Sequence, residues 1–191
     1  MKKDKLSISR LTEELEKQNC DAYIAYASAE DCDMRYLSRF LASDPYLYIC
    51  TKSGQESLIV ASMEVLRAEK EARCPAISRT AAGYMDFLEE GCSADEAAAR
   101  MLKKCCSAGD SARFLVPYTM PAGFARALSG HAEVVIDAGA VSAMRAVKSP
   151  EEIDAIREVQ RENEKGVHCT WRAVSAALDG LGLALVFLLG S

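Results

Sequence analysis

Few residues in this chain could do chemistry, and they are scattered. Asp31-Cys32-Asp33 places two carboxylates around a thiol, and hard oxygens of that kind suit a divalent cation. A local reading competes and is preferred: the triplet is a loop in which Asp33 caps a helix beginning at Met34. His131, in Ser129-Gly130-His131 at the start of a strand, reads as a surface residue rather than a ligand. His168 and Cys169 are adjacent, and neighbours on a helix point in different directions, so they do not form a nucleophile–base couple. Phosphate cradles are missing, since neither G-x-G-x-x-G nor G-K-[ST] occurs and Gly180-Leu181-Gly182 lacks a strand-to-helix setting.

The cysteines point to a compartment more than to a reaction. Cys20, Cys32, Cys50, Cys74, Cys92, Cys105, Cys106 and Cys169 contain no C-x-x-C pair, and the adjacent Cys105-Cys106 would strain a disulfide. Several fall in apolar stretches, where cysteine acts as a small hydrophobe. The basic start, Met1-Lys2-Lys3-Asp4-Lys5, leads into a polar helix and not into the apolar core of a secretory signal. Free thiols in the cytoplasm are the expectation. The net charge of −5, with 23 scattered basic residues, gives no stripe for phosphate contacts and disfavours nucleic acid.

The elements that must position these residues alternate. With 191 residues, half of them hydrophobic and 27% charged, the chain can bury the core of a single domain plus an extension. Ser9 caps a predicted helix to about Asn19, with Leu11 and Leu15 on one face. A strand follows over 21–27, a short helix over 33–41, and a hairpin of strands over 46–50 and 57–61 around Thr51-Lys52-Ser53-Gly54-Gln55. Ser62 opens a helix to about Ala72, and a strand is placed over 76–80. Ser93-Ala94-Asp95-Glu96 reads as a capping box opening a helix to about Cys106. A strand over 113–116, a helix from Pro121 to near Gly130 and a strand over 133–137 complete the series. Strands alternating with helices predict a three-layer α/β/α domain, and the hairpin makes its sheet mixed.

A second helix start is sharper than the rest. In Lys148-Ser149-Pro150-Glu151-Glu152-Ile153, Ser149 is the N-cap, Pro150 sits at the first helical position and Glu152 completes a capping box. The whole run, Met144-Arg145 and then Lys148 to Arg157, resembles the inter-domain hinge of the creatinase / Xaa-Pro aminopeptidase / prolidase family. Asp33-Met34-Arg35-Tyr36-Leu37-Ser38-Arg39-Phe40 with Ser43 to Ile49 resembles the family's helix-to-strand segment, which often has Gly where this chain has Arg39. Leu11 to Leu15 and Asp21 to Ile24 are similar to its first helix and strand. The match runs over about residues 5 to 174.

That resemblance implies a creatinase N-terminal-like α/β domain with a ribonuclease H-like motif over 1–147. The hinge and first helix of a pita-bread catalytic domain follow over 148–174, and an apolar tail over 175–191. Family members hydrolyse the bond before proline with two divalent metals held by two Asp, one His and two Glu in the pita-bread domain. Beyond Glu164 this chain offers only His168 and Asp179, so no metal site and no catalytic residue are expected in it. The implied role is dimerisation, as a homodimer, and shaping of the active-site entrance, with Arg35, Tyr36 and Asp44 as the candidate entrance residues. Peptide substrate is implied only alongside a catalytic domain. The alternative is a stand-alone binding or oligomerisation module, and for Tyr36 and Phe40 helical spacing favours a place in the core. Leu181–Leu189 falls short of the roughly twenty apolar residues that span a bilayer, so no membrane role is expected. The tail reads as the stump of a longer protein or a frame change, or else as a segment folded back on the sheet.

Overall fold

The computed structural model describes the backbone of residues 5–107, 109 and 111–189, and the side chains of residues 8–107, 109 and 111–179. It divides into two compact units, Met1–Ala146 and Val147–Ser191.

The first unit is built on six strands: β1 (Ala22–Ala27), β2 (Tyr46–Thr51), β3 (Glu56–Val60), β4 (Ala76–Ser78), β5 (Arg113–Pro117) and β6 (Glu133–Asp137). Their order is β4-β3-β2-β1-β5-β6, and β2 alone runs against the rest. Period-two alternation sends side chains to two apolar faces. Tyr23, Tyr48, Leu58, Val60 and Leu115 lie on one, and Ile24, Leu47, Ile49, Ile59, Phe114 and Val116 on the other. Both faces are covered, which is why the strands read as nearly continuous apolar runs. Helices α1 (Lys5–Lys17), α2 (Cys32–Ser38), α3 (Val65–Glu71) and α7 (Ala140–Ala146) pack on the first face, and α4 (Tyr84–Glu89), α5 (Ala94–Cys105) and α6 (Ala122–Ser129) on the second. The three-layer α/β/α domain with a mixed sheet is therefore present.

Several local expectations are corrected. Helix α1 starts before Ser9, because Ile8 packs over the β2–β3 turn: a Cβ on Gly54 would lie 3.3 Å from Ile8 Cγ2. Gly54 has φ +77, so the turn favours glycine on both counts. Ser62 caps no helix; it opens a 3-10 turn, Ser62–Glu64, that leads into α3 without a side-chain cap. The box at Ser93 is one-sided. Ser93 Oγ accepts from Glu96 N at 3.3 Å, but the Glu96 carboxylate turns to His131 Nε2 (2.6 Å) and to Arg100 Nε (3.4 Å). His131 is thus a half-buried partner of α5 and not a simple surface residue.

Helices α4 and α7 have no sequence signature of the usual kind. The first begins after Gly83 at φ +90 with no side-chain cap. The second is held by Asp137, 3% exposed at the end of β6, whose two carboxylate oxygens accept from Ala140 N at 3.0 and 2.9 Å.

The second unit is the single helix α8 (Pro150–Leu189), which begins as the cap residues dictate. Ser149 N donates to Glu152 Oε2 at 2.9 Å and Glu152 N to Ser149 Oγ at 3.2 Å, the reciprocal pair of a capping box. The backbone stays helical past Ser175, and α8 runs on through Leu189. Their side chains from residue 180 on, and residues 190 and 191, lie outside the described set. Among the described residues no helix is long and apolar enough to cross a membrane.

Candidate functional site

The segment from Asp31 to Tyr46 is built as a tight corner. Asp31, not Asp33, is the N-cap: Asp31 Oδ1 accepts from Asp33 N at 2.8 Å and Met34 N at 2.9 Å, and α2 therefore starts at Cys32. The capping geometry is the one expected, set earlier in the chain. It leaves the Asp33 carboxylate to accept from Arg145 Nη1 at 2.6 Å and from Ser142 Oγ at 3.1 Å, both on α7. Both carboxylates of the triplet thus serve protein donors, one at a helix start and one between helices.

At its other end α2 stops on Arg39, held in the left-handed region at φ 55 and ψ 18, with its N–H donating to Arg35 O. That is the conformation which favours glycine, and it accounts for the glycine often found here in the family that this segment resembles. Arg39→Gly is expected to stabilise the fold by about 0.5–1 kcal/mol, the left-handed penalty less glycine's extra chain entropy. Chemical denaturation reads this as a raised midpoint at unchanged slope; a lowered midpoint would show that the Arg39 side chain contributes more than the strain.

Beyond the corner, a buried hydroxyl network fixes the chain. Ser38 and Tyr46 are buried, and their hydroxyls lie 2.7 Å apart. Tyr46 OH donates to Phe40 O at 2.8 Å, and Phe40 N donates to Ser38 Oγ at 3.0 Å. Burial pushes the Tyr46 phenol up, so it stays a donor at neutral pH. Phe40 is fully buried, edge-on to Tyr46, with the Arg67 guanidinium 4.7 Å from its ring centre. Nothing in the spacing of these residues announces the network, because it joins a helix end to a strand start.

The three candidate entrance residues sit apart in function. Arg35 is exposed, and its Nε donates to Ala29 O at 2.9 Å, which ties α2 to the loop after β1. Tyr36 is half-buried and packs against the first-face core, while Phe40 lies wholly within that core. Asp44 is exposed and lines a cleft with Tyr26, Pro45, Tyr46, Glu64 and Arg79. Arg35 and Tyr36 are not among that cleft's lining residues.

Thiol chemistry is muted in the core. The eight cysteines are free, and burial pushes the Cys50 and Cys74 thiols up to about 12, which keeps them protonated and unreactive at neutral pH. Beside them lies an ion pair that the sequence did not suggest. Arg73 Nη2 bonds Glu56 Oε1, each side chain being 5% exposed, and Tyr48 OH donates to the same oxygen at 2.6 Å.

The sequence model of the creatinase/prolidase N-terminal domain matches residues 8–147. The chain belongs to the creatinase/prolidase N-terminal domain family. Solved structures agree on the fold. The prolidase from Pyrococcus horikoshii superposes with a TM-score of 0.62 at 20% identity, covering 84% of this chain and 41% of that one. A Xaa-Pro dipeptidase from Bacillus anthracis gives 0.60 at 17% identity, covering 79% and 38%. An Xaa-Pro aminopeptidase structure from Streptococcus thermophilus gives 0.52 at 11% identity, covering 72% of this chain and 94% of that one. The chain thus spans only about two fifths of the length of the full prolidases it resembles. No curated protein sequence matches it.

Proposed function

We propose that this chain acts as the non-catalytic N-terminal domain of an Xaa-Pro peptidase-like metallohydrolase, contributing dimerisation and the shape of an active-site entrance. The family match over residues 8–147 carries the reading. The domain is a folded scaffold whose polar groups are largely committed to holding it together. Asp44, which lines a cleft, the exposed Arg35 and the half-buried Tyr36 are its contributions to an entrance. Peptide substrate belongs to the assembly with a catalytic domain, and the eight free thiols support a reducing, cytoplasmic setting.

A two-metal centre of the kind the relatives' family uses does not fit the residues from Glu164 onward. Such a centre needs ligands converging on ions about 4 Å apart. Glu164, His168 and Asp179 all lie on α8, and the eleven-residue step from His168 to Asp179 separates them by about 16 Å along the axis. The purified chain is therefore expected to show no turnover of X-Pro dipeptides or longer X-Pro peptides with added Mn²⁺, Co²⁺ or Zn²⁺. Turnover that depends on the metal and stops on chelation would overturn the non-catalytic reading.

Dimerisation is tested separately. Light scattering on the full chain is expected to give a defined two-fold species. A monodisperse monomer across the accessible concentration range would remove dimerisation from the proposal.

A further inference from the structure

The strands leave one crevice that the role above does not use. Connections from β1 carry the chain to β2, β3 and β4 on one side, and the chain then returns to β5 and β6 on the other. Because β2 is antiparallel, its first residues lie at the same edge as the ends of β1 and β3: Tyr26 pairs with Leu47, and Leu47 with Ile59. In open α/β sheets the crevice outside the carboxyl ends of the strands, where the order reverses, is the place for a ligand. Here that edge holds a cleft of about 70 Å³ with an open mouth, and it adjoins the cleft that Asp44 lines.

Its lining has the composition of a small-molecule site: mostly apolar, with few charges. Tyr26 and Phe124 meet edge-on with ring centres 5.4 Å apart, and Leu47, Tyr84, Ala98 and Met101 add apolar and aromatic surface. The charged lining residues are one cation, Arg79, and one anion, Asp95. Arg79 is half-buried, and Nη2 donates to Pro45 O at 2.7 Å, which fixes the guanidinium where the two clefts adjoin. Of its five donors this is the one engaged among the described residues. Asp95 lies in the first turn of α5 and leans over Gly123, where a Cβ would come within 2.8 Å of its Oδ2. Glycine at 123 is what lets the carboxylate take that position.

We infer that this crevice binds a free α-amino acid with an apolar side chain, its carboxylate on Arg79, its ammonium on Asp95 and its side chain among Tyr26, Tyr84, Met101 and Phe124. A simple anion would meet Asp44, Glu64 and Asp95 around the one arginine, and a simple cation would meet Arg79. A zwitterion satisfies both signs at once. The site shares Tyr26 and Arg79 with the cleft that Asp44 lines, and it needs no catalytic domain.

Titration of the full chain with L-phenylalanine, followed by calorimetry and ligand-observed NMR, is expected to show saturable single-site binding. Phenethylamine, which lacks the carboxylate, and 3-phenylpropionate, which lacks the ammonium, should each bind about tenfold more weakly or worse, the usual loss when a charged hydrogen-bonding group goes unmatched. Arg79→Gln and Asp95→Asn should weaken L-phenylalanine to the same degree, and Ala98→Phe should fill the crevice and abolish binding. Unfolding midpoints of the variants separate lost binding from lost folding. Absence of saturation up to about 10 mM would overturn the site. So would equal binding of all three compounds, or full binding retained by a folded Ala98→Phe.

Discussion

Glu56→Ala is expected to destabilise the domain by about 3–5 kcal/mol, because it leaves the guanidinium of Arg73 in the core without its carboxylate. Both side chains are 5% exposed, so water cannot replace what is removed. Tyr48 contributes as well, since its hydroxyl donates to the same Glu56 oxygen at 2.6 Å, and burial first, then the nearby acids, holds the phenol well above its usual range. Removing Glu56 therefore strands a donor as well as a charge. The pair joins the first residue of β3 to the segment leading into β4, so its loss should loosen that edge of the sheet. The double variant Glu56→Leu/Arg73→Met should be much less destabilised than the sum of its singles, since it removes both charges together. Denaturant unfolding of the three variants checks this. Additive single effects would mean that the two groups act independently despite their contact.

Phe40→Ala is expected to cost a further large amount, about 3–5 kcal/mol, from lost burial and the cavity left behind. Phe40 is 0% exposed, stacks edge-on with Tyr46 at 5.5 Å and lies under the Arg67 guanidinium. Its backbone N–H and C=O also close the Ser38–Tyr46 network. The loss should therefore be local before it is global. Hydrogen exchange is expected to accelerate first over residues 38–46, the corner that presents Asp44. Phe40→Leu should recover much of the stability but not the ring contacts. If exchange rises evenly over the sheet, the corner is not an independent unit and Asp44 is positioned by the whole domain.

Short-range physics made much of this molecule legible from its residues alone. Short apolar runs bounded by turn residues marked all six strands to within a residue or two, since a strand in a sheet covered on both faces shows in its own side chains. The Ser149–Glu152 box marked the start of α8, because a capping box closes within four residues and needs no tertiary partner. The same logic was blind to partners arriving from elsewhere. Asp33 read as a cap, yet α7 supplies it with Arg145, and the cap passed to Asp31. Glu96 read as half of a box, yet His131 lies 35 residues on and takes its carboxylate. Helix α7 went unread because its cap, Asp137, also reads as the last residue of a strand. The buried Glu56–Arg73 pair and the crevice between Tyr26, Arg79, Asp95 and Phe124 exist only once the sheet is ordered β4-β3-β2-β1-β5-β6. The sequence by itself determined the six strands, most of the helices and the start of α8, because these rest on short apolar runs and on contacts three or four residues apart, and its motifs carried the family resemblance that the match over residues 8–147 bears out. Strand order, the committed charges and the crevice were decided only in the tertiary structure, where burial makes distant residues neighbours and leaves each polar group to find its partner there.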